Sequence, residues 1–148
     1  MAAKPVVLID LNILLDVLQR RELFYESSAS ILALGETGKI TGYVASHSLT
    51  TLFYLIKKDR SKADARAILT NLLQFLRVAA VDQATIEQAL NLETPDFEDA
   101  VQMMAAVQCK ADYLITRNAK DFQPSLVNVA QPVEFLSAVR NAISTGSE

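Results

Sequence analysis

The chain has 148 residues and a mass of 16.2 kDa; 51% of its residues are hydrophobic and 21% charged, and its net charge is −3 with a pI near 5.2. This length supports one buried core rather than two, and the composition is far from that of a disordered segment. The acidic balance gives no bulk attraction to nucleic acid, so an anionic substrate has to be met by a local basic patch or by a metal ion.

A single cysteine, Cys109, and a single histidine, His47, exclude an internal disulfide and a Cys/His zinc site, and this usage suits a reducing cytoplasm. No window approaches the ~20 apolar residues of a membrane-spanning helix. At the N-terminus Lys4 and Pro5 lead into a stretch broken by Asp10 and Asn12, which is not the uncharged core of a leader peptide. With four glycines, four prolines and no repeat or linker, one domain over residues 1–148, soluble and cytoplasmic, is expected.

Residues 5–9 form a short continuous apolar run, the mark of a strand buried on both faces. Leu11, Leu14, Leu15 and Leu18 then fall at helical spacing over residues 11–20. A second helix is expected over 24–36, closed by Gly35 and Gly38, and a strand over 43–45. Ser46 or Ser48 is placed to cap a helix through Leu49, Leu52, Phe53 and Ile56, which ends in the charged run 57–60. Ser61 opens another, with Ile68, Leu69, Leu72, Leu73 and Leu76 on its apolar face. A short strand over 77–81, a helix from the cap Asp82 to about Leu92, and a helix over 96–110 begun by Thr94-Pro95 follow. Strands at 112–116 and 127–129 and a final helix at 132–143 complete the series. Short buried strands alternating with helices imply an α/β fold in which a central parallel sheet is wrapped by helices.

The chemistry-bearing residues stand where that alternation brings them together. Asp10, Asn118 and Asp121 lie at or just past the carboxyl ends of strands, the edge at which open α/β sheets bind ligands. Asp99 lies in the first turn of a helix that opens on the same edge. Asp96, three residues earlier, shares its face if the helix has begun by then, whereas Glu98 is turned roughly 100° from Asp99, so Asp96 is the better supporting candidate. Crowded carboxylates repel unless one takes a proton or a cation binds them. Oxygen donors without histidine or thiol suit Mg2+ or Mn2+, and such a site supports phosphodiester hydrolysis.

Each residue also has a plain structural role open to it. Asp10 can cap the following helix, Asp96 and Glu98 can complement the positive end of a helix, and residues 118–121 can form an ordinary turn. Asp16 and Arg20, four apart, make an acceptable surface salt bridge. His47, at a strand-to-helix junction, reads as structural, and Cys109, Met103 and Met104 read as core.

In combination, Asp10-Leu11-Asn12-Ile13-Leu14-Leu15-Asp16 after an apolar strand, Asp99-Ala100 opening a helix, and residues 116–122, Thr-Arg-Asn-Ala-Lys-Asp-Phe, after another strand resemble the PIN domain family, including the VapC-type toxins. The resemblance spans nearly the whole chain in order and spacing. It implies a three-layer α/β/α fold, a magnesium- or manganese-dependent endoribonuclease, frequent homodimerisation and often an antitoxin partner. It makes Asp10 the first metal-binding aspartate with Asn12 shaping that site, Asp99 the third acid, and Asn118 or Asp121 the fourth position. It also sets the Thr116 hydroxyl beside the bound phosphate.

Two departures subtract negative charge. The family usually carries a glutamate on the helix spanning 48–57, whereas this chain has no acid from residue 40 to 58 and Thr51 falls near that place. Asn118 stands where the family often has aspartate. Asp96, one turn from Asp99, is the candidate to compensate. For substrate, Arg117 adjoins Thr116 and is aimed at the same edge, while Lys57, Lys58, Arg60, Lys62 and Arg66 form the one concentrated basic stretch, equally readable as a solvated face. Three functions follow: a metal-dependent ribonuclease, the toxin of a toxin–antitoxin pair; a PIN-like module that lost catalysis with the missing glutamate and only binds RNA or protein; and a phosphohydrolase using Asp10 as nucleophile. The last is weakest, because a haloacid-dehalogenase-like enzyme wants a second aspartate where Asn12 stands.

Overall fold

The computed structural model describes residues 4–122 and 126–146. Five short strands, β1 (Val6–Ile9), β2 (Thr41–Ala45), β3 (Leu76–Ala79), β4 (Tyr113–Ile115) and β5 (Asn128–Ala130), form one sheet in the order β3-β2-β1-β4-β5. Every pairing is parallel, with Val7 opposite both Gly42 and Tyr113, and Leu114 opposite Val129. The helices are α1 (Leu11–Leu18), α2 (Tyr25–Glu36), α3 (Ser46–Asp59), α4 (Lys62–Leu72), α5 (Gln83–Leu90), α6 (Phe97–Gln108) and α7 (Pro132–Gly146). None is long and apolar enough to cross a membrane among the described residues.

Side chains alternate across a strand, so β1 feeds two cores. Val7 and Ile9 pack with Ile13, Leu14, Ile31, Leu52, Ile56 and Phe135, which puts α1, α2, α3, α4 and α7 on one face. Leu8 and Leu114 pack with Met103, Ala105 and Ala106 of α6 on the other, and α5 joins α6 through Ala89 and Val101. The result is the parallel sheet wrapped by helices expected from the alternation of elements, in the three-layer α/β/α form implied by the resemblance. Gly42, buried in β2, lets β1 and β3 close in: a Cβ there would sit 2.8 Å from a Leu76 methyl and 3.3 Å from Ile9.

The strand order positions the site. From β1 the chain moves outward through β2 to β3, then crosses back to β4 on the other side of β1 and on to β5. Neighbouring connections therefore diverge at the carboxyl ends of β1 and β4, leaving the crevice in which such sheets hold ligands.

Local boundaries differ from the sequence reading: α1 ends at Leu18 rather than residue 20, β2 begins two residues earlier than expected and β3 ends at Ala79, and four further differences have a visible cause. α4 stops at Leu72 and Leu76 begins β3, where it is buried; the period Leu72-Leu76 continues the helical pattern although the backbone has turned. Neither Ser46 nor Ser48 caps α3, because the helix starts at Ser46 with Ala45 in the capping position. α6 is capped by Asp96 itself, whose carboxylate accepts from the backbone N–H of Glu98 at 2.8 Å and of Asp99 at 3.4 Å. After α2 only Gly38 takes the left-handed conformation, at φ +77°, whereas Gly35 lies inside the helix with its α-carbon face against Phe75. Asp82 caps α5 as expected, through a reciprocal capping box with Thr85.

Candidate metal centre at the carboxyl edge of the sheet

Asp10 follows β1 directly and continues its ladder, its N–H donating to the Ile115 carbonyl at 3.0 Å. It occupies the position preceding α1, yet its carboxylate makes no capping hydrogen bond. It instead accepts from the buried Thr116 hydroxyl, Oγ1 to Oδ2 at 2.8 Å. Thr116 Oγ1 also accepts from the Asn118 N–H at 3.1 Å, which sets the loop after β4 and starts the 3-10 turn Ala119–Asp121. The capping role open to Asp10 in the sequence is thus replaced by a tie between the ends of two adjacent strands.

Only 8% of Asp10 is exposed. Burial pushes its carboxyl pKa above the usual value, and the negative charge of Glu98 adds to that push; the Thr116 hydroxyl and the nearby N–H groups of Leu11 and Asn12 pull part of the way back. A carboxylate held out of water beside another negative charge is a receptor for a proton or a cation.

Among the described residues, Asp96, Glu98 and Asp99 each offer a carboxylate oxygen within 4.8 Å of the others. Asp96 and Asp99 are brought together as the sequence suggests, although one oxygen of Asp96 is engaged in capping. Glu98, the less favoured candidate in the sequence, is held by neighbours from two helices. Its Oε1 is 3.0 Å from His47 Nε2 and 3.3 Å from Gln102 Nε2, and Gln102, fully buried, also donates to Ser48 Oγ at 3.0 Å. Two buried polar atoms in this cluster, His47 Nδ1 and Gln102 Oε1, have no hydrogen-bond partner. All-oxygen donors near a desolvated carboxylate, with orphaned polar atoms alongside, fit a hard divalent cation.

The remaining candidates fall as follows. Asn12 lies half-buried in the first turn of α1, and Asn118 is exposed beyond β4. Asp121 ends the 3-10 turn, and its side chain lies outside the described residues. Arg117 turns toward Asp16: its Nε is 3.0 Å from Asp16 Oδ2, without the alignment of a hydrogen bond, and its guanidinium lies 4.3 Å over the Phe24 ring. Asp16 is wholly buried rather than part of a surface pair with Arg20. It accepts from Ser28 Oγ at 3.1 Å and pairs with Arg21 at 3.4 Å. Arg20 sits past the end of α1 at φ 48° and reaches the Tyr25 ring. Within the basic stretch, Arg60 donates to the Leu18 carbonyl at 2.8 Å, at the end of α1 away from Asp10.

A family model described as PIN domain matches residues 6–120. The chain belongs to the PIN domain family. No individually curated protein matches it. Among solved structures, this PIN domain is similar to VapBC2 from Rickettsia felis bound to a DNA fragment from their promoter, at 17% identity and TM-score 0.65, with 85% of this chain and 98% of that chain covered. It is also similar to a toxin–antitoxin complex from Klebsiella pneumoniae, at 22% identity, TM-score 0.63 and 85% and 97% coverage. A third is VapC20 from Mycobacterium tuberculosis, a sarcin–ricin loop cleaving toxin, at 13% identity, TM-score 0.56 and 81% and 92% coverage. At these identities the likeness is one of fold.

Proposed function

We propose that this PIN domain is an endoribonuclease that hydrolyses RNA phosphodiester bonds with Mg2+ or Mn2+ bound at Asp10, Asp96, Asp99 and Asp121. The observation that carries this reading is the desolvated Asp10 carboxylate, tied to Thr116 across the β1–β4 crevice and close enough to feel the Glu98 charge. In that crevice the carboxylates hold the cation, Thr116 fixes the orientation of Asp10, and Asn12 and Asn118 present amides at the rim to substrate oxygens. A divalent cation would supply neutralisation of the phosphoryl charge and a lowered pKa for the attacking water.

The likeness to structures described as toxin–antitoxin complexes supports, for this chain, a toxin role with an antitoxin partner, and a homodimeric state and a cytoplasmic location belong to the same proposal. One observation favours a second reading, a binding module of weakened catalysis: α3 brings no acid to the strand ends. The test is incubation of the protein and a D10A variant with structured and single-stranded RNA in Mg2+, Mn2+ or chelator. Cleavage by the parent that disappears in D10A and in chelator is expected. Metal-independent RNA binding without cleavage would refute the enzyme and favour the module.

A further inference from the structure

Between Glu36 and Asp59 the chain has no carboxylate, so the acid usually delivered by α3 is missing from its whole length up to the last residue. What α3 delivers to the strand ends instead is His47, its second residue, which grips Glu98 of α6. The same oxygen, Glu98 Oε1, is held by Gln102 one turn along α6, and Gln102 is braced in turn by Ser48 of α3. These bonds leave Glu98 Oε2 outside the grip.

A half-exposed His–Glu pair is worth little to the fold by itself. Here it is embedded in a buried polar cluster in which His47 Nδ1 and Gln102 Oε1 go without partners, a cost that an incidental surface pair does not explain. Glu98 also lies within ligand-sharing distance of Asp96 and Asp99, and its charge reaches Asp10. A carboxylate fixed by one oxygen, with the other outside the grip, beside two further acids and within electrostatic reach of a fourth, is arranged as a ligand rather than as a helix-end charge.

We propose that Glu98 is the carboxylate that completes the metal site in place of the acid absent from α3, with His47 and Gln102 as positioning residues that hold its Oε1. The inference rests on the metal-dependent reading given above. It differs from the sequence expectation, in which Asp96 supplies the missing charge; Asp96 spends an oxygen on capping α6, whereas Glu98 is oriented by α3 itself.

The test is calorimetric titration of MnCl2 into chelator-treated protein at pH 7.5, comparing the parent with D10N, E98Q, H47A, H47Q and, as an exposed acid at the opposite, amino edge of the sheet, E36Q. E98Q should raise the Kd for Mn2+ about tenfold or more and E36Q should leave it unchanged. H47A should weaken binding severalfold and H47Q, which retains a donor, should recover most of the loss. If the parent and D10N bind Mn2+ alike, the metal site itself is misplaced. If D10N abolishes binding while E98Q binds like the parent, the site stands and Glu98 is not its ligand. If E98Q weakens binding and H47A does not, the positioning role of His47 is overturned. Melting of each variant in EDTA within a few degrees of the parent establishes that the comparison is between folded proteins.

Discussion

Asp10→Asn should make the metal-free protein more stable and the metal-loaded protein relatively less stable. The charged form of Asp10 is held at a cost, because burial removes its hydration and Glu98 repels it. Asparagine keeps the shape and can still accept from Thr116, so the variant loses the charge but not the tie. Burying an imperfectly compensated polar group costs about 1–3 kcal/mol in proteins, and the retained hydrogen bond argues for the low end, so about 1 kcal/mol is gained. For a domain of this size that raises Tm by roughly 3–4 °C. In Mn2+ at a hundredfold excess over Kd, the parent gains about 2.7 kcal/mol and the variant little, so the order of the two melting curves inverts. The sign with pH follows from a folded pKa raised above the ordinary 3.8: below 3.8 both states hold the proton and the penalty is absent, it grows as pH rises through the window up to the folded value, and it is complete above that. The advantage of asparagine in EDTA therefore shrinks as pH is lowered through that window. Melting followed by circular dichroism from pH 8 to pH 4, with and without Mn2+, measures all three. An Asp10→Asn that melts below the parent in EDTA at pH 7.5 would refute the view of Asp10 as a destabilised receptor.

Thr116→Val should cost about 1–2 kcal/mol, since it strands a buried Asp10 lone pair and the Asn118 N–H, and it should reduce RNA cleavage, whereas Thr116→Ser should retain most of both. Asp16→Asn should lower stability by about 2–3 kcal/mol in urea titration; the loss falls below that for a fully buried pair because Arg21 and Arg117 reach solvent at 35% and 22% side-chain exposure. Asp96→Asn should leave Tm unchanged, asparagine being as good a cap as aspartate, yet lower Mg2+ affinity; unchanged affinity in calorimetry would leave Asp96 with the cap alone.

β1 and β4 were legible because each is a short uninterrupted apolar run with polar residues following at once, whereas β3 carries Arg77 inside it and β5 opens on Asn128, so their bounds were less plain. Parallel pairing and a sheet wrapped by helices followed from alternation, and the three α/β/α layers from the resemblance to the PIN domain family. What the sequence hid is long-range. The spacing of Asp16 and Arg20 looks like a helical pair, but the helix ends at Leu18, and the partners of Asp16 are Arg21, one residue further on, Ser28 of α2 and Arg117 of the loop after β4. Leu76 keeps step with Leu72 through residues without glycine or proline, so nothing in the pattern announces the turn into β3. Glu98 reads as a helix-end charge in the sequence because the residue that contacts it, His47, comes from another helix. The one signal available was the coincidence of a missing acid and a polar histidine at the start of that helix.

The fate of the arginines decides how RNA would be held. Arg117 adjoins the crevice, but it and Arg21 are drawn to the buried Asp16, and Arg60 is spent on the end of α1. Lys57 and Lys58 lie in the last turn of α3, roughly 16 Å along the axis from its start at the strand ends. Lys120, exposed in the 3-10 turn after β4, remains at this edge, and a bound metal would have to carry much of the attraction for phosphates near Asp10. Each phosphate neutralised by a side chain contributes about −0.7 to the slope of log affinity against log salt for a single strand. The KM for single-stranded RNA, measured from 50 to 400 mM KCl at saturating Mg2+, should vary with a slope on the order of one or two contacts, a magnitude near 1. A slope of about 3 or steeper that becomes shallow when Lys57, Lys58, Lys62 and Arg66 are replaced by glutamine would place the basic stretch in the RNA path and refute this account of the charges.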